Sequence, residues 1–163
     1  MTDPASPPAP QRKLSDFLCF SIYSANLAFG RAYKPLLDEL GLTYTQWIII
    51  VALWEQDDQT VKGLGERLFL ESNTLTPILK KLEELGYLRR QRDPTDERQV
   101  LVSLTEAGRR LREKGANNNL LAATGLDPEE FAALRTAMVK LRTNLLDSTG
   151  GGGRLSRARA RAC

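Results

Sequence analysis

Apolar residues recur every three or four positions along most of the chain, which is the spacing of one face of an α-helix. At the start this spacing covers residues 14–29, and a further short helix is predicted after Pro35, ending at Gly41. Residues 47–54 are almost wholly apolar and follow Thr43-Tyr-Thr-Gln46, which has the form of a helix-capping box. The sequence therefore predicts a helix buried on nearly all sides, preceded by helices with one apolar face.

Two short helices joined by a tight polar turn are predicted in the middle of the chain. The first begins after Thr60, and the second covers residues 74–85 and is closed by Gly86. This arrangement is typical of a helix-turn-helix. Residues 87–92 and 98–104 then flank a turn-rich pentad, Asp-Pro-Thr-Asp-Glu, and should pair as a β-hairpin. A helix-turn-helix followed by such a hairpin is a winged helix.

The C-terminal third returns to helical patterning. Thr105 is expected to cap a charged helix, and Asp127-Pro-Glu-Glu130 combines an N-cap, a first-turn proline and a capping-box glutamate. Apolar residues then recur at three and four, at Phe131, Leu134, Met138, Leu141 and Leu145. Apolar faces outside a winged core need a second subunit to cover them. The predicted fold is mainly α with a small β-wing: a winged helix-turn-helix at about 43–104, with dimerisation helices at about 14–40 and 105–147.

The two ends of the chain differ in composition from this single domain, which is predicted to cover residues 13–149. Residues 1–12 hold four of the eight prolines and little apolar content, so they are predicted to form a flexible arm. Four consecutive glycines begin at Gly150, and the segment 150–163 is predicted to be a flexible tail rich in glycine and arginine.

Composition excludes several classes of function. The chain has no histidine, which rules out Ser-His-Asp and Cys-His catalysis, and two distant cysteines cannot form the usual tetrahedral zinc site. Nothing resembles a thioredoxin-like pattern either, so the protein is not expected to be an enzyme or to carry a cofactor or metal. No export signal or long apolar run is present, which favours a cytoplasmic protein without a membrane partner.

Positive charge is concentrated where the winged helix is predicted. The net charge is +3, but the tail contributes four arginines and no acid, so the rest of the chain carries −1. Residues 73–112 contain nine basic and six acidic side chains, whereas residues 31–71 contain four and seven. Double-stranded DNA is therefore the expected partner of the 73–112 region.

Small polar side chains cluster where the second helix of the helix-turn-helix begins, at Ser72, Asn73, Thr74 and Thr76. Such residues meet base edges when a recognition helix lies in the major groove with its positive dipole end near phosphate. Helix capping alone would explain one or two of them. Lys80 and Lys81 follow as candidate phosphate contacts, although a solvated helix face predicts lysines equally well.

The predicted hairpin carries four arginines around its tip: Arg89, Arg90, Arg92 and Arg98. Acids at the tip would repel phosphate unless they pair with these arginines and aim them. Asp96 is therefore interpreted as a side chain that orients Arg98 toward DNA. The alternative is a solvent-exposed charged hairpin that has no role in DNA binding.

Two segments together resemble a known family. The stretches "LESNTLTPILKKLEELGYL", "RRQRDPTDERQVLVSL" and "LTEAG" resemble the winged-helix core of the MarR family of bacterial transcription regulators. The stretch "LCFSIYSANLAFGRAYKPLLDELGLTYTQW" is similar to one branch, the organic hydroperoxide resistance regulators, and the resemblance covers about residues 14–147. It implies a homodimeric repressor that holds a near-palindromic operator and releases it when a reactive cysteine is oxidised by an organic hydroperoxide.

The cysteine that this resemblance singles out is Cys19. On pattern alone, a cysteine on an apolar helix is predicted to be an inert core thiol. The resemblance implies instead a redox sensor supported by Tyr33 and Tyr44, with Tyr23 as a further pocket tyrosine. Phenol donors to sulfur favour the thiolate, which attacks peroxides. With Phe17, Phe20 and the helix of Trp47 nearby, the pocket would suit an alkyl or lipid hydroperoxide.

Two questions stay open from the sequence. Cys163, the other thiol, could resolve oxidised Cys19, or a low-molecular-weight thiol could form a mixed disulfide with it. The second question is the switch itself, because a MarR-like repressor could instead respond to a small aromatic or phenolic ligand with Cys19 merely lining the pocket.

Overall fold

The computed structural model describes residues 13–115 and 120–149, without the side chains of residues 120 and 121. The predicted arm at 1–12 and the tail at 150–163, including Cys163, lie outside these residues. After a short 3₁₀ turn at Leu14–Asp16, the elements in order are α1 (Leu18–Leu40), α2 (Tyr44–Glu55), β1 (Gln59–Thr60), α3 (Val61–Leu68), α4 (Ser72–Glu84), β2 (Leu88–Arg92), β3 (Val100–Leu104), α5 (Glu106–Gly115), α6 (Leu120–Thr124) and α7 (Pro128–Ser148). The mainly helical fold with a small β-wing is confirmed.

Local capping signals place the helix starts where the sequence predicts them. At α2 the Thr43 hydroxyl accepts from the Gln46 amide N–H at 3.3 Å, and the Gln46 side chain accepts from the Thr43 N–H at 2.8 Å. At α3 the Thr60 hydroxyl accepts from the Gly63 N–H. At α7 the Asp127 carboxylate accepts from two first-turn amides. Each cap satisfies backbone donors that a helix start leaves unpaired.

The prediction of a separate helix after Pro35 is wrong. Pro35 lies inside α1, which is one uninterrupted helix from Leu18 to Leu40 and ends at Gly41 in the left-handed conformation, with φ of 65°. Proline has no N–H, so the carbonyl of Arg31 loses its helical hydrogen bond. The helix nevertheless continues, and its last turn is held in the core by Leu37 and Leu40, which are buried.

The predicted hairpin is confirmed, and it carries a third strand that the pattern did not indicate. β2 pairs antiparallel with β3 from Leu88 opposite Leu104 to Arg92 opposite Val100, and β1 pairs with the other edge of β3. The two-residue β1 is too short to show an alternating pattern. α6 and the initial 3₁₀ turn were also not predicted, because short elements contain too few positions for periodicity.

The core lies between α2, the helix-turn-helix that α3 and α4 form, and the sheet. Its fully buried side chains come from these elements and include Ile49, Ile50, Leu64, Leu75, Leu79, Leu82 and Val102. α5 packs closely on this unit at Gly108, where a Cβ atom would stand 2.0 Å from the carbonyl oxygen of Tyr87. The Trp54 indole N–H also donates to the Gly108 carbonyl at 3.1 Å.

The outer helices leave much of their apolar surface uncovered. None of the described residues of α7 is buried, although its Leu134 and Leu145 are apolar. α7 does reach the helix-turn-helix, because the Arg142 guanidinium lies 4.2 Å from the ring centroid of Phe69. Among the described residues no single helix is long and apolar enough to cross a membrane; α1 and α2 meet that measure only as a pair bent by 76°.

Candidate nucleic-acid interface and redox site

The first turn of α4 exposes its polar side chains to solvent. α4 begins at Ser72, and its N-cap, Glu71, makes no side-chain cap hydrogen bond. Ser72, Asn73 and Thr74 are exposed, and the Thr76 hydroxyl donates to the Ser72 carbonyl at 2.7 Å. Capping therefore does not account for these residues. They lie on one open helix end, as a recognition helix requires.

The two lysines of α4 have different surroundings. Lys80 is exposed and forms no ion pair with any residue in the described ranges, whereas Lys81 lies 3.5 Å from the Glu84 carboxylate, one turn further along the helix. An exposed pair at this spacing contributes little stability. Lys80 is thus the lysine that is available for a phosphate group.

The wing arginines, which look alike in the sequence, differ in the contacts that their side chains make. Arg90 donates from its backbone N–H and its guanidinium to the Glu83 carboxylate, with the ion pair at 2.7 Å. The side-chain hydrogen bond from Arg90 lowers the pKa of Glu83. The contact also links β2 to α4. The Arg89 guanidinium donates to the Ser103 hydroxyl at 3.3 Å, and that of Arg92 donates to the Glu97 carbonyl at 3.1 Å.

The interpretation of Asp96 as a guide for the Arg98 guanidinium is wrong. The Asp96 carboxylate accepts from the backbone N–H of Arg98 at 3.1 Å and from the Gln99 side-chain amide at 2.9 Å. Asp93 accepts from the N–H and hydroxyl of Thr95, and these bonds lower its pKa. Both acids shape the turn because backbone donors lie closer to them than any guanidinium. The Arg98 side chain is exposed and forms no ion pair with the residues described.

A further acid that the sequence reasoning missed holds the base of the wing. The Asp57 carboxylate accepts from the backbone N–H of Leu104 at 2.9 Å and pairs with the Arg109 guanidinium. Asp57 and Arg109 are 52 positions apart in the chain. No local spacing could indicate this contact, which ties the wing to α5. Local spacing likewise does not indicate the contact between Glu83 and Arg90, which joins α4 to β2.

Cys19 is the second residue of α1 and is an exposed free thiol. It lines an open apolar groove of about 380 Å³ together with Leu14, Phe17, Phe20 and Tyr23. Tyr23 lies one helical turn after the thiol, as the sequence predicts. Trp47 does not line this groove: it is buried and packs edge-to-face on Trp54, with the ring centroids 5.1 Å apart.

The other two predicted tyrosines lie far from the thiol of the same chain. Tyr33 and Tyr44 pack together, with ring centroids 5.1 Å apart. Burial raises the pKa of Tyr33, and the neighbouring Tyr44 raises it further. Tyr33 follows Cys19 by 14 positions on one helix. At 1.5 Å per residue this is about 21 Å along the axis. A single chain therefore does not bring these phenols to the sulfur.

Comparison with known proteins agrees with the winged-helix geometry. A family model described as transcriptional regulator SarA/Rot matches residues 31–114. The chain is 42% identical over 131 residues to the organic hydroperoxide resistance transcriptional regulator of Bacillus subtilis, spanning 79% of this chain and 89% of that protein. It is 44% identical over 136 residues to the HTH-type transcriptional regulator TtmR of Methylorubrum extorquens, spanning 82% and 70%.

A solved structure gives the same picture. AbfR of Staphylococcus epidermidis, in its reduced form bound to DNA, superposes with a TM-score of 0.72 at 33% identity, over 83% of this chain and 94% of AbfR. Overoxidised AbfR bound to DNA superposes with a TM-score of 0.66, over 81% and 94%. These relatives are regulators rather than enzymes, as the composition predicts. The chain belongs to the DNA-binding winged-helix transcriptional regulators of the MarR/SarA type.

Proposed function

We propose that this regulator is a cytoplasmic, homodimeric repressor that senses organic hydroperoxides through Cys19 and then releases a near-palindromic operator. The observation that carries the proposal is the thiol itself, exposed at the start of α1 in an apolar groove. An apolar groove favours a hydroperoxide with a hydrocarbon group over hydrogen peroxide, because only the former buries apolar surface there. The name of the Bacillus subtilis relative supports the same inducer.

The proposed chemistry is a two-electron oxidation of sulfur. The Cys19 thiolate attacks the terminal oxygen of the hydroperoxide, the O–O bond breaks, and the hydroxyl is transferred to sulfur as a sulfenic acid. The alkoxide leaves and takes a proton from solvent to become the alcohol. A low-molecular-weight thiol then attacks the sulfenic sulfur, forms a mixed disulfide and releases water. Cys163 is the alternative resolving thiol.

A second subunit completes the proposed site. Tyr33 lies about 21 Å along α1 from the thiol of its own chain, and Tyr44 packs on Tyr33. These phenols therefore support Cys19 only if the partner subunit supplies them. The uncovered apolar residues of α1 and α7 give such a dimer its interface. Phenol donors from the partner subunit would favour the thiolate, and Tyr23 would close the groove.

The operator contacts are assigned to the exposed side chains of α4 and the wing. Ser72, Asn73, Thr74 and Thr76 face base edges, and Lys80 contacts phosphate. Lys81 contacts phosphate by exchanging its weak, exposed pair with Glu84 for the DNA backbone. Arg89, Arg92 and Arg98 reach the backbone from the wing, while Arg90 and Asp96 act indirectly by holding the hairpin in shape. Oxidation at Cys19 adds atoms where the helices of the dimer interface meet. This moves the two copies of α4 out of the spacing that one operator requires.

The test is operator binding by wild type and by Cys19→Ser, with and without cumene hydroperoxide. Serine keeps the size and a polar atom but is not a nucleophile toward peroxide, so the variant should bind the operator and ignore the oxidant. Cys163→Ser is the matched control, and it should still be released. Tyr33→Phe and Tyr44→Phe keep ring packing but remove the phenols, so they should slow the release without weakening binding by the reduced protein.

Two outcomes would change the proposal. Release of Cys19→Ser by the hydroperoxide at the wild-type rate would rule out the redox switch and favour the ligand-switched alternative, in which the apolar groove binds a small aromatic or phenolic compound. Release of wild type but not of Cys163→Ser would replace the small-thiol route by a two-cysteine route. Mass spectrometry of the treated protein identifies the adduct in each case.

A further inference from the structure

Pro77 lies in the interior of α4, the proposed recognition helix, where proline is the least favourable residue. Because it lacks an N–H, the carbonyl of Asn73 loses its helical hydrogen bond. Packing does not call for a bend at this point. Leu75, Leu79 and Leu82 keep the spacing of one helix face across Pro77 and are fully buried, and α4 continues to Glu84.

The exposed face of α4 carries Pro77 among its short polar residues. At 3.6 residues per turn, Ser72, Thr76 and Lys80 follow one line along the helix, and Asn73 and Pro77 follow the adjacent line. All five are exposed, and Asn73 and Pro77 lie on the side of the helix away from the buried leucines. Pro77 therefore belongs to the surface that the proposed docking places in the major groove.

We propose that Pro77 is a specificity-determining residue that selects a thymine in each operator half-site by contact with its 5-methyl group. The pyrrolidine ring has no donor or acceptor to offer a base edge. The one apolar group that base edges present in the major groove is the thymine methyl. On its N-terminal side Pro77 is flanked by the short side chains of Asn73 and Thr76, and the Thr76 hydroxyl already donates to its own helix, so these two leave the ring room to approach a base.

This inference rests on the proposed placement of α4 in the operator, and it is independent of Cys19 and of the inducer. Its test uses the full-length reduced protein and an operator selected by it from randomised duplexes. Each thymine is then replaced by deoxyuridine, which removes only the methyl group. At one thymine, which recurs at the symmetric position of the other half-site, we expect the replacement to lower the operator affinity of wild type. The affinity should fall about fourfold for each half-site that is changed, which is the effect of one buried methyl group.

Three variants test whether the Pro77 ring, rather than a neighbouring side chain, contacts the thymine methyl group. Pro77→Ser removes the apolar surface and should show no deoxyuridine penalty at that thymine, whereas Pro77→Val keeps an apolar side chain and should retain it. Both restore the missing N–H, so α4 should fold at least as well. Thr76→Ser removes the neighbouring methyl group and keeps the hydroxyl, so loss of the penalty in this variant would assign the thymine contact to Thr76 and overturn the assignment to Pro77.

The results distinguish this inference from the proposed role of α4. The same penalty in Pro77→Ser as in wild type, or no penalty at any thymine in wild type, would overturn the thymine contact. In that case Asn73→Ala decides the wider question, because a changed selected sequence would keep α4 as the reading helix. If neither Asn73→Ala nor Pro77→Ser alters the selected sequence, the placement of α4 in the groove is wrong as well.

Discussion

Arg90 and Arg98 lie on the same hairpin but have different surroundings. Arg90 is held by Glu83 with three hydrogen-bonding or ionic contacts, whereas the Arg98 guanidinium is exposed. Arg98→Ala should therefore weaken operator binding and lower the slope of log affinity against log salt by about 1. Its free energy of unfolding should stay near the wild-type value. Fluorescence anisotropy at several salt concentrations measures the first effect, and urea unfolding the second.

Arg90→Ala is the matched variant for that prediction. It should lower the free energy of unfolding by about 1 kcal/mol, a value reduced for the partial exposure of the ion pair. Its salt slope should match wild type. A full loss of the salt slope in Arg90→Ala, with Arg98→Ala unchanged, would mean that the guanidinium leaves Glu83 to bind phosphate.

The sequence identified which residue types matter on the wing but not how their side chains are arranged. Arginines near a turn are visible in the sequence, and their concentration at 73–112 coincides with α4, the hairpin and the start of α5. Their partners depend on tertiary contacts, as with Arg90 and Glu83, or on competition at short range. Asp96 has an arginine two positions away, yet it accepts from the backbone N–H of Arg98, because turn geometry brings that donor closer.

At the scale of elements, the Glu83–Arg90 contact joins the recognition helix to the wing and should give their attachment a pH dependence. The hydrogen bond from Arg90 lowers the pKa of Glu83 in the folded protein. The stabilisation is therefore complete above the pKa of an unfolded glutamate, about 4.3, and is lost as the pH falls through the lower, folded value. Urea unfolding of wild type and Glu83→Gln at pH 7 and pH 3.5 should show a difference that shrinks in acid.

The control for that prediction is Glu84→Gln, whose carboxylate lies one position further on α4 and, within the described ranges, pairs only with exposed Lys81. It should change stability little at either pH. A Glu83→Gln variant whose deficit is equal at both pH values would show that the loss comes from packing rather than from charge.

Elements that begin with a local signal were predictable. The side chains that cap α2, α3 and α7 lie within three residues of the amides they bind, so spacing alone reveals them. The continuity of α1 was not predictable in this way. Proline usually marks a helix boundary, but the buried side chains of Leu37 and Leu40 hold the turn beyond Pro35 in place. That energy comes from contacts with the core, which a window of sequence does not contain.

At the scale of the whole molecule, the uncovered apolar faces of α1 and α7 predict a dimer at micromolar concentration. Leu134 and Leu145 are 49% and 55% exposed in the single chain, although they lie on one face of α7. Leu134→Lys or Leu145→Lys should shift the sedimentation coefficient toward that of the monomer and lower operator affinity, because one chain binds only one half-site. Half-sites should be spaced by about one helical turn, ~10 bp.

Lys140→Glu serves as the control, since it changes charge on an exposed position of α7 without altering its apolar residues. It should sediment as the dimer. A wild-type monomer that binds the operator with full affinity would contradict the dimer and, with it, the completion of the Cys19 site by a partner subunit.

The way α1 is attached to the core makes it a mechanical lever. Its buried residues, Leu37 and Leu40, lie in the last turn, while Cys19 lies at the opposite end of the helix. The distance from Leu37 to Cys19 is about 27 Å, so a tilt of about 5° at the anchored turn sweeps the thiol through roughly 2 Å. Pro35, which lacks the N–H for a helical hydrogen bond, lies just before the turn that Leu37 and Leu40 hold in the core. In the proposed redox switch the same ratio works in reverse: a displacement of a few ångströms at the oxidised Cys19 sulfur would reach α2 as a small rotation of the core that carries α4.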